Sequence, residues 1–156
     1  MTPSSEASAH RVDTPLGPLW LGGDEDGLTE VAFHGEPDAR SGDALLQEAA
    51  EQLRAYFAGE LRRFELPLSA QGTEFQRRVW DAVAGIPYGT TSTYSAVAAA
   101  IGSPRACRAV GAANGRNPLP IVVPCHRLVG ASGALTGYGG GLALKRALLD
   151  LEAAAS

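Results

Sequence analysis

The chain has 156 residues, a formal net charge of −4 and a sequence pI near 5.3. Length allows one ordinary domain or two small ones, and 45% hydrophobic against 19% charged residues is a globular composition that excludes disorder. No apolar run is long enough for a transmembrane helix, residues 1–10 lack the apolar stretch of a secretory signal, and two cysteines, Cys107 and Cys125, cannot build a disulfide framework. The expected compartment is therefore the reducing cytoplasm, with no membrane partner.

Along the chain, residues 1–9 read as a frayed, flexible tail. Residues 16–21 and 28–33 are short apolar runs separated by Gly22-Gly23-Asp24-Glu25-Asp26-Gly27, a hairpin pattern. Asp43 opens a helical pattern to Phe57, with Leu45, Leu46, Ala49, Leu53, Tyr56 and Phe57 on one stripe, and Gly59 closes it. Residues 64–66 are expected to return as a strand. These elements predict a small α+β unit over residues 1–68.

The remainder, residues 69–156, reads as helices. Thr73 is a candidate N-cap for a helix carrying Phe75, Val79, Trp80 and Val83, which Ile86-Pro87-Tyr88-Gly89 breaks. Ser92 or Thr93 caps a short helix to Ile101, stopped by Gly102. Ser103 as N-cap and Pro104 at the first helical position predict another from Arg105 to about Asn114. Two short helices about a Gly-Ser-Pro turn form a helix-turn-helix candidate. Residues 121–123 are a strand-like β-branched run, and Gly139-Gly140-Gly141 precedes a last helix over 142–151.

Splitting the charge at Ser69 changes the meaning of the total. Residues 1–68 hold 13 acidic side chains against five arginines, a net of −8. Residues 69–156 hold four acids against seven arginines and Lys145, a net of +4, together with 12 of the 19 glycines. A basic, glycine-rich half points to a polyanion partner and to tight turns near a functional surface.

The sharpest local feature is Pro124-Cys125-His126-Arg127. A cysteine is a strong nucleophile as its thiolate, which a cationic neighbourhood of His126 and Arg127 favours. Neighbouring side chains on an extended chain point to opposite faces, so His126 reaches Cys125 only if the backbone turns or a water bridges them. A carboxylate must orient the histidine, and the second half offers only Glu74, Asp81, Asp150 and Glu152. On chemistry alone Cys125 is either a nucleophile or a buried inert thiol.

The run Ile121-Val122-Val123-Pro124-Cys125-His126-Arg127 resembles the signature of the O6-alkylguanine-DNA alkyltransferases (methylated-DNA–protein-cysteine S-methyltransferases). The resemblance extends over nearly all of 72–152. It includes Gly72-Thr73-Glu74-Phe75-Gln76, Ile86-Pro87-Tyr88-Gly89-Thr90-Thr91-Ser92-Thr93-Tyr94, Pro104-Arg105-Ala106-Cys107-Arg108-Ala109-Val110-Gly111, Asn117-Pro118 and Gly137-Tyr138-Gly139-Gly140-Gly141-Leu142 with Lys145. In 1–68 it rests mainly on Thr14-Pro15-Leu16-Gly17-Pro18-Leu19.

The resemblance implies an α+β fold: a small N-terminal α/β domain, ribonuclease H-like in the family, then a helical winged helix-turn-helix-type DNA-binding domain. It implies a monomer acting once, by irreversible transfer of the alkyl group of O6-alkylguanine in double-stranded DNA to Cys125, with O4-alkylthymine a further candidate substrate. The catalytic set it implies is Cys125, His126 accepting the thiol proton through a water, Glu152 holding the imidazole, Asn117 bracing the turn, and Tyr94. The flipped base would be held by Tyr94, the carbonyls of Cys125 and Leu128, Tyr138 and the Gly139 N–H. On the DNA, Arg108 would fill the gap left by the base. Arg105, Ala106, Ala109 and Gly111, with Tyr94, would line the approach to the minor groove. No cofactor and no metal are expected. Two competing readings are a non-enzymatic damage sensor of the same fold, in which the motif cysteine is replaced, and a cysteine hydrolase unrelated to DNA.

Overall fold

The structure is a computed structural model and describes residues 8–138 and 140–155. The chain divides into two compact units, Met1–Gln71 and Gly72–Ser156. Among the described residues no helix is long and apolar enough to cross a membrane.

In the first unit, β1 (Ser8–Thr14), β2 (Gly17–Asp24) and β3 (Gly27–Ala32) form an antiparallel sheet in the order β1-β2-β3. Alternation along β2 buries Leu19 and Leu21, and Val12, Leu28 and Val31 join them in the core. Helix α1 (Ala44–Phe57) packs on this sheet through Leu46, Ala49, Ala50, Leu53, Tyr56 and Phe57. It starts where Asp43 caps it, one carboxylate oxygen accepting from Leu45 N at 2.8 Å and Leu46 N at 3.4 Å. It stops before Gly59, which takes the left-handed conformation at φ 77°.

Two expectations for this unit fail. Residues 8 and 9 are not tail: they open β1, pairing with Gly23 and Gly22. The strand was hidden because Val12 is the one large aliphatic side chain in its sequence. The rest of the expected tail, residues 1–7, lies outside the described residues. No strand forms over 64–66. Phe64 instead packs its ring on Tyr56 at 5.5 Å, and the chain meets the sheet later, in a single parallel bridge between Leu28 and Leu68. Gly27 permits that approach, since a Cβ there would lie 2.6 Å from Pro67 O.

The second unit is helical. Helix α2 (Glu74–Ala84) begins at a reciprocal cap: Gln76 N donates to Thr73 Oγ1 at 3.1 Å and Thr73 N to Gln76 Oε1 at 3.0 Å. Val79, Trp80 and Val83 are its buried face, and Trp80 Nε1 donates to Ala113 O at 2.8 Å. Strand β4 (Ser92–Thr93) leads into α3 (Tyr94–Ala100), capped by Thr93. Helix α4 (Cys107–Gly115) packs on α2 and α3. The two-residue β5 (Leu128–Val129) pairs in parallel with β4, and α5 (Leu142–Ala155) closes the unit.

Helix α4 starts two residues later than expected. Ser103 and Pro104 form a turn instead, closed by Ala106 N donating to Ser103 O at 2.9 Å. Serine and proline suit the first two positions of a type I turn as well as they suit a helix start. Helix α5 continues past residue 151, so Glu152 lies inside it.

Candidate active site

The approach to Cys125 is where sequence and structure differ most. Residues 121–123 form no strand. Pro118, Pro120 and Pro124 lack the N–H that a ladder needs, and Ile121 sits in the left-handed region at φ 76°. Asn117 holds this unusual turn from inside: its Oδ1 accepts from Leu119 N at 2.9 Å and its Nδ2 donates to Val123 O at 2.9 Å. Val123 N then donates to Leu119 O at 2.8 Å and Cys125 N to Val123 O at 2.7 Å.

The result is a 3-10 turn over Cys125–Arg127. Three residues per turn send three consecutive side chains in three directions, which a strand cannot do. All three are buried. Asn114, on the buried face of α4, donates from Nδ2 to Cys125 O at 3.3 Å. Cys125 O also accepts from Leu128 N.

Glu152 is the hub of the charge arrangement. It is 1% exposed and gathers His126 Nε2 at 2.7 Å, Arg127 Nε and Nη2 at 2.9 Å each, and Gly89 N at 3.3 Å. Arg127 does not face the thiol as the sequence suggested. It grips the carboxylate bidentately, donates from Nη1 to Ile86 O at 2.6 Å and lies over the Tyr88 ring at 5.5 Å. Burial pulls the pKa of His126 below its ordinary value, while Glu152 pulls the other way. The imidazole is then neutral, with Nε2–H donating to Glu152. Its Nδ1 carries the lone pair and makes no hydrogen bond among the described residues.

Burial also pushes the Cys125 thiol above its ordinary value; the Asn117 amide and the Lys145 charge oppose this. Tyr138 has its pKa raised first by burial and next by the neighbouring thiol. Lys145 and Glu152 share one buried stripe of α5 with Leu148 between them. The Lys145 ammonium donates to Leu128 O at 2.7 Å, Thr136 O at 3.2 Å and Thr136 Oγ1 at 3.4 Å, and burial lowers its pKa. Thr136 Oγ1 is also hydrogen-bonded to the hydroxyl of Tyr94, the first residue of α3.

The site therefore gathers Cys125, His126, Glu152, Asn117, Leu128 and Tyr138 around one buried turn. Tyr94 joins it through Thr136. Gly139 lies outside the described residues. Arg105, in the turn before α4, and Arg108 and Ala109, in its first turn, are exposed; Ala106 is half-buried, and Gly111 lies against the Tyr94 ring, where a Cβ would stand 3.7 Å from Cδ1. Sequence reading missed Asn114, Thr136 and the bonds of Lys145. Asn114 and Lys145 had a signal: each falls on the apolar stripe of its helix, at i+4 from Val110 and i−3 from Leu148. Thr136, in a loop, had none.

Comparison with known proteins follows the same division into units. The ribonuclease-like domain of the 6-O-methylguanine DNA methyltransferase family matches residues 9–70, and the DNA binding domain of that family matches residues 74–154. A methylated-DNA–protein-cysteine methyltransferase of Methanosarcina acetivorans is 52% identical over 147 residues, spanning 90% of this chain and 94% of that one. The protein of the same description from Mycobacterium bovis is 52% identical over 151 residues, 90% of this chain and 89% of that one. The crystal structure of Mycobacterium tuberculosis OGT in complex with DNA superposes with a TM-score of 0.87 at 48% identity, covering 96% of this chain and 94% of that one.

Proposed function

Because the chain belongs to the 6-O-methylguanine DNA methyltransferase family, we propose that it repairs DNA by direct reversal, moving the alkyl group of O6-alkylguanine onto Cys125. The bond from O6 to the alkyl carbon breaks as the bond from Cys125 Sγ to that carbon forms. The thiol proton passes through a water to His126 Nδ1, and the departing purine takes up a proton to become guanine. Glu152 holds the imidazole and balances its charge, and Arg127 fixes Glu152 in turn. The thioether is stable, so each chain acts once, as a monomer. O4-alkylthymine is a second candidate substrate.

The observation that carries this reading is the buried His126–Glu152 pair beside Cys125, with the proton-accepting nitrogen of His126 making no hydrogen bond among the described residues. A buried thiol reaches O6 only if the base leaves the stack. In this reading α4 enters the minor groove. Arg108 fills the vacated space, with Tyr94, Arg105, Ala106, Ala109 and Gly111 around it. Tyr94, Leu128 O, Tyr138 and the Gly139 N–H hold the base. The carbonyls of Cys125 and Leu128 are the acceptors this reading offers to the guanine amino group. Two free thiols fit a reducing cytoplasm.

The test is the intact mass after mixing with a duplex carrying O6-methylguanine. One added methyl per chain, on Cys125, is expected. Cys125→Ser should take up no methyl and still bind DNA. Tight binding without a mass change would instead make the protein a damage sensor. Repeated turnover on a substrate other than DNA would make it a hydrolase.

A further inference from the structure

We infer that Thr136 is a positioning residue for Tyr94, tying that hydroxyl to the buried charge of Lys145; the inference rests on the alkyltransferase reading of the site. Lys145 is fully buried, and an ammonium has three hydrogens to donate and no lone pair. Its partners are Leu128 O, Thr136 O and Thr136 Oγ1. Two of the three belong to Thr136, so the salient feature of this loop residue is that both its oxygens face one cation. With Lys145 donating to Oγ1, the single Thr136 hydrogen has the Tyr94 oxygen as its hydrogen-bonded neighbour. The bond then runs from Lys145 to Thr136 to Tyr94, each donor polarised by the one before it. Tyr94 is thereby an acceptor from Thr136, and its own hydrogen is free to donate to the base.

The arrangement does two things. It fixes the tyrosine oxygen in place before substrate arrives, so less ordering is required on binding. It also makes Tyr94 a better donor as negative charge builds on the departing purine, because positive charge stands behind it. Leu128 O is held by the same ammonium, so one cation orients both the donor and one acceptor offered to the base.

Single-turnover methyl transfer measures this directly. Thr136→Val keeps the shape and removes the hydroxyl. It should slow transfer about tenfold while leaving affinity for an undamaged duplex unchanged. Thr136→Ser should transfer at nearly the wild-type rate. In a Tyr94→Phe background, adding Thr136→Val should have no further effect, which a merely structural role for Thr136 would not produce. Thermal unfolding checks each variant, and Thr136→Ala repeats the test if the valine variant does not fold. Equal rates for Thr136→Val and wild type, or the same slowing with and without the Tyr94 hydroxyl, would overturn the inference. A wild-type protein that gains no methyl would instead overturn the alkyltransferase reading itself.

Discussion

A buried sulfur nucleophile faces a conflict, because burial opposes the thiolate that attacks. Cys125 is held as a thiol by its surroundings, so the proton must leave during the reaction and needs a neutral acceptor. His126 is kept neutral by the same burial, against the pull of Glu152. The sign of the stability effect follows. Below its ordinary pKa of 6.5, an unfolded histidine takes up a proton that buried His126 resists. Its contribution to stability is therefore present above that value and is lost as pH falls below it. In urea titrations at about pH 7.5 and about pH 5.5, the wild type should lose more stability on acidification than His126→Gln does. Equal losses in the two proteins would mean that the fold does not lower the imidazole pKa, and a smaller loss in the wild type would mean that the imidazole is held charged.

At the scale of elements, what was readable depended on whether local preference and tertiary contact agree. Asp43, Thr73 and Thr93 cap α1, α2 and α3 because a short oxygen-bearing side chain there meets the free N–H groups at once. The β-branched run before Cys125 points to a strand because valine and isoleucine favour one, but three prolines deny it the N–H groups a ladder needs. The side chain that decides its shape is Asn117, whose two bonds reach Leu119 and Val123 across the turn. These bonds hold Ile121 in a left-handed conformation that costs a β-branched residue about 1–2 kcal/mol. The cysteine, histidine and glutamate were legible from residue type, whereas the turn that joins them was not. Asn117→Ala frees a donor and an acceptor at once, and should lower stability by about 2 kcal/mol and slow methyl transfer. Denaturant unfolding alongside single-turnover rates measures both; an unchanged unfolding midpoint would show that the prolines alone hold the turn.

Over the whole chain, the net charge of −4 conceals a DNA-binding half of +4 and a first half of −8. The long-range field therefore repels DNA, and attraction has to come from a few cations that touch phosphates. Each such contact releases counterions and adds about 0.9 to the slope of log affinity against log salt. Arg105, just before α4, and Arg108, in its first turn, both stand exposed, but they carry different roles in the proposed complex. A phosphate contact by Arg105 acts equally on damaged and intact DNA. A side chain filling the space of a flipped base acts only where a base has left the stack. Arg105→Ala should therefore weaken binding to O6-methylguanine and undamaged duplexes alike and reduce the salt slope by about one. Arg108→Ala should weaken binding to the lesion duplex more than to the undamaged one, with the excess persisting at high salt, where phosphate contacts are screened. Fluorescence anisotropy on the two duplexes across a salt series separates these patterns. If both variants lose the same affinity for both duplexes, Arg108 is a second phosphate contact and the vacated space is filled by another side chain.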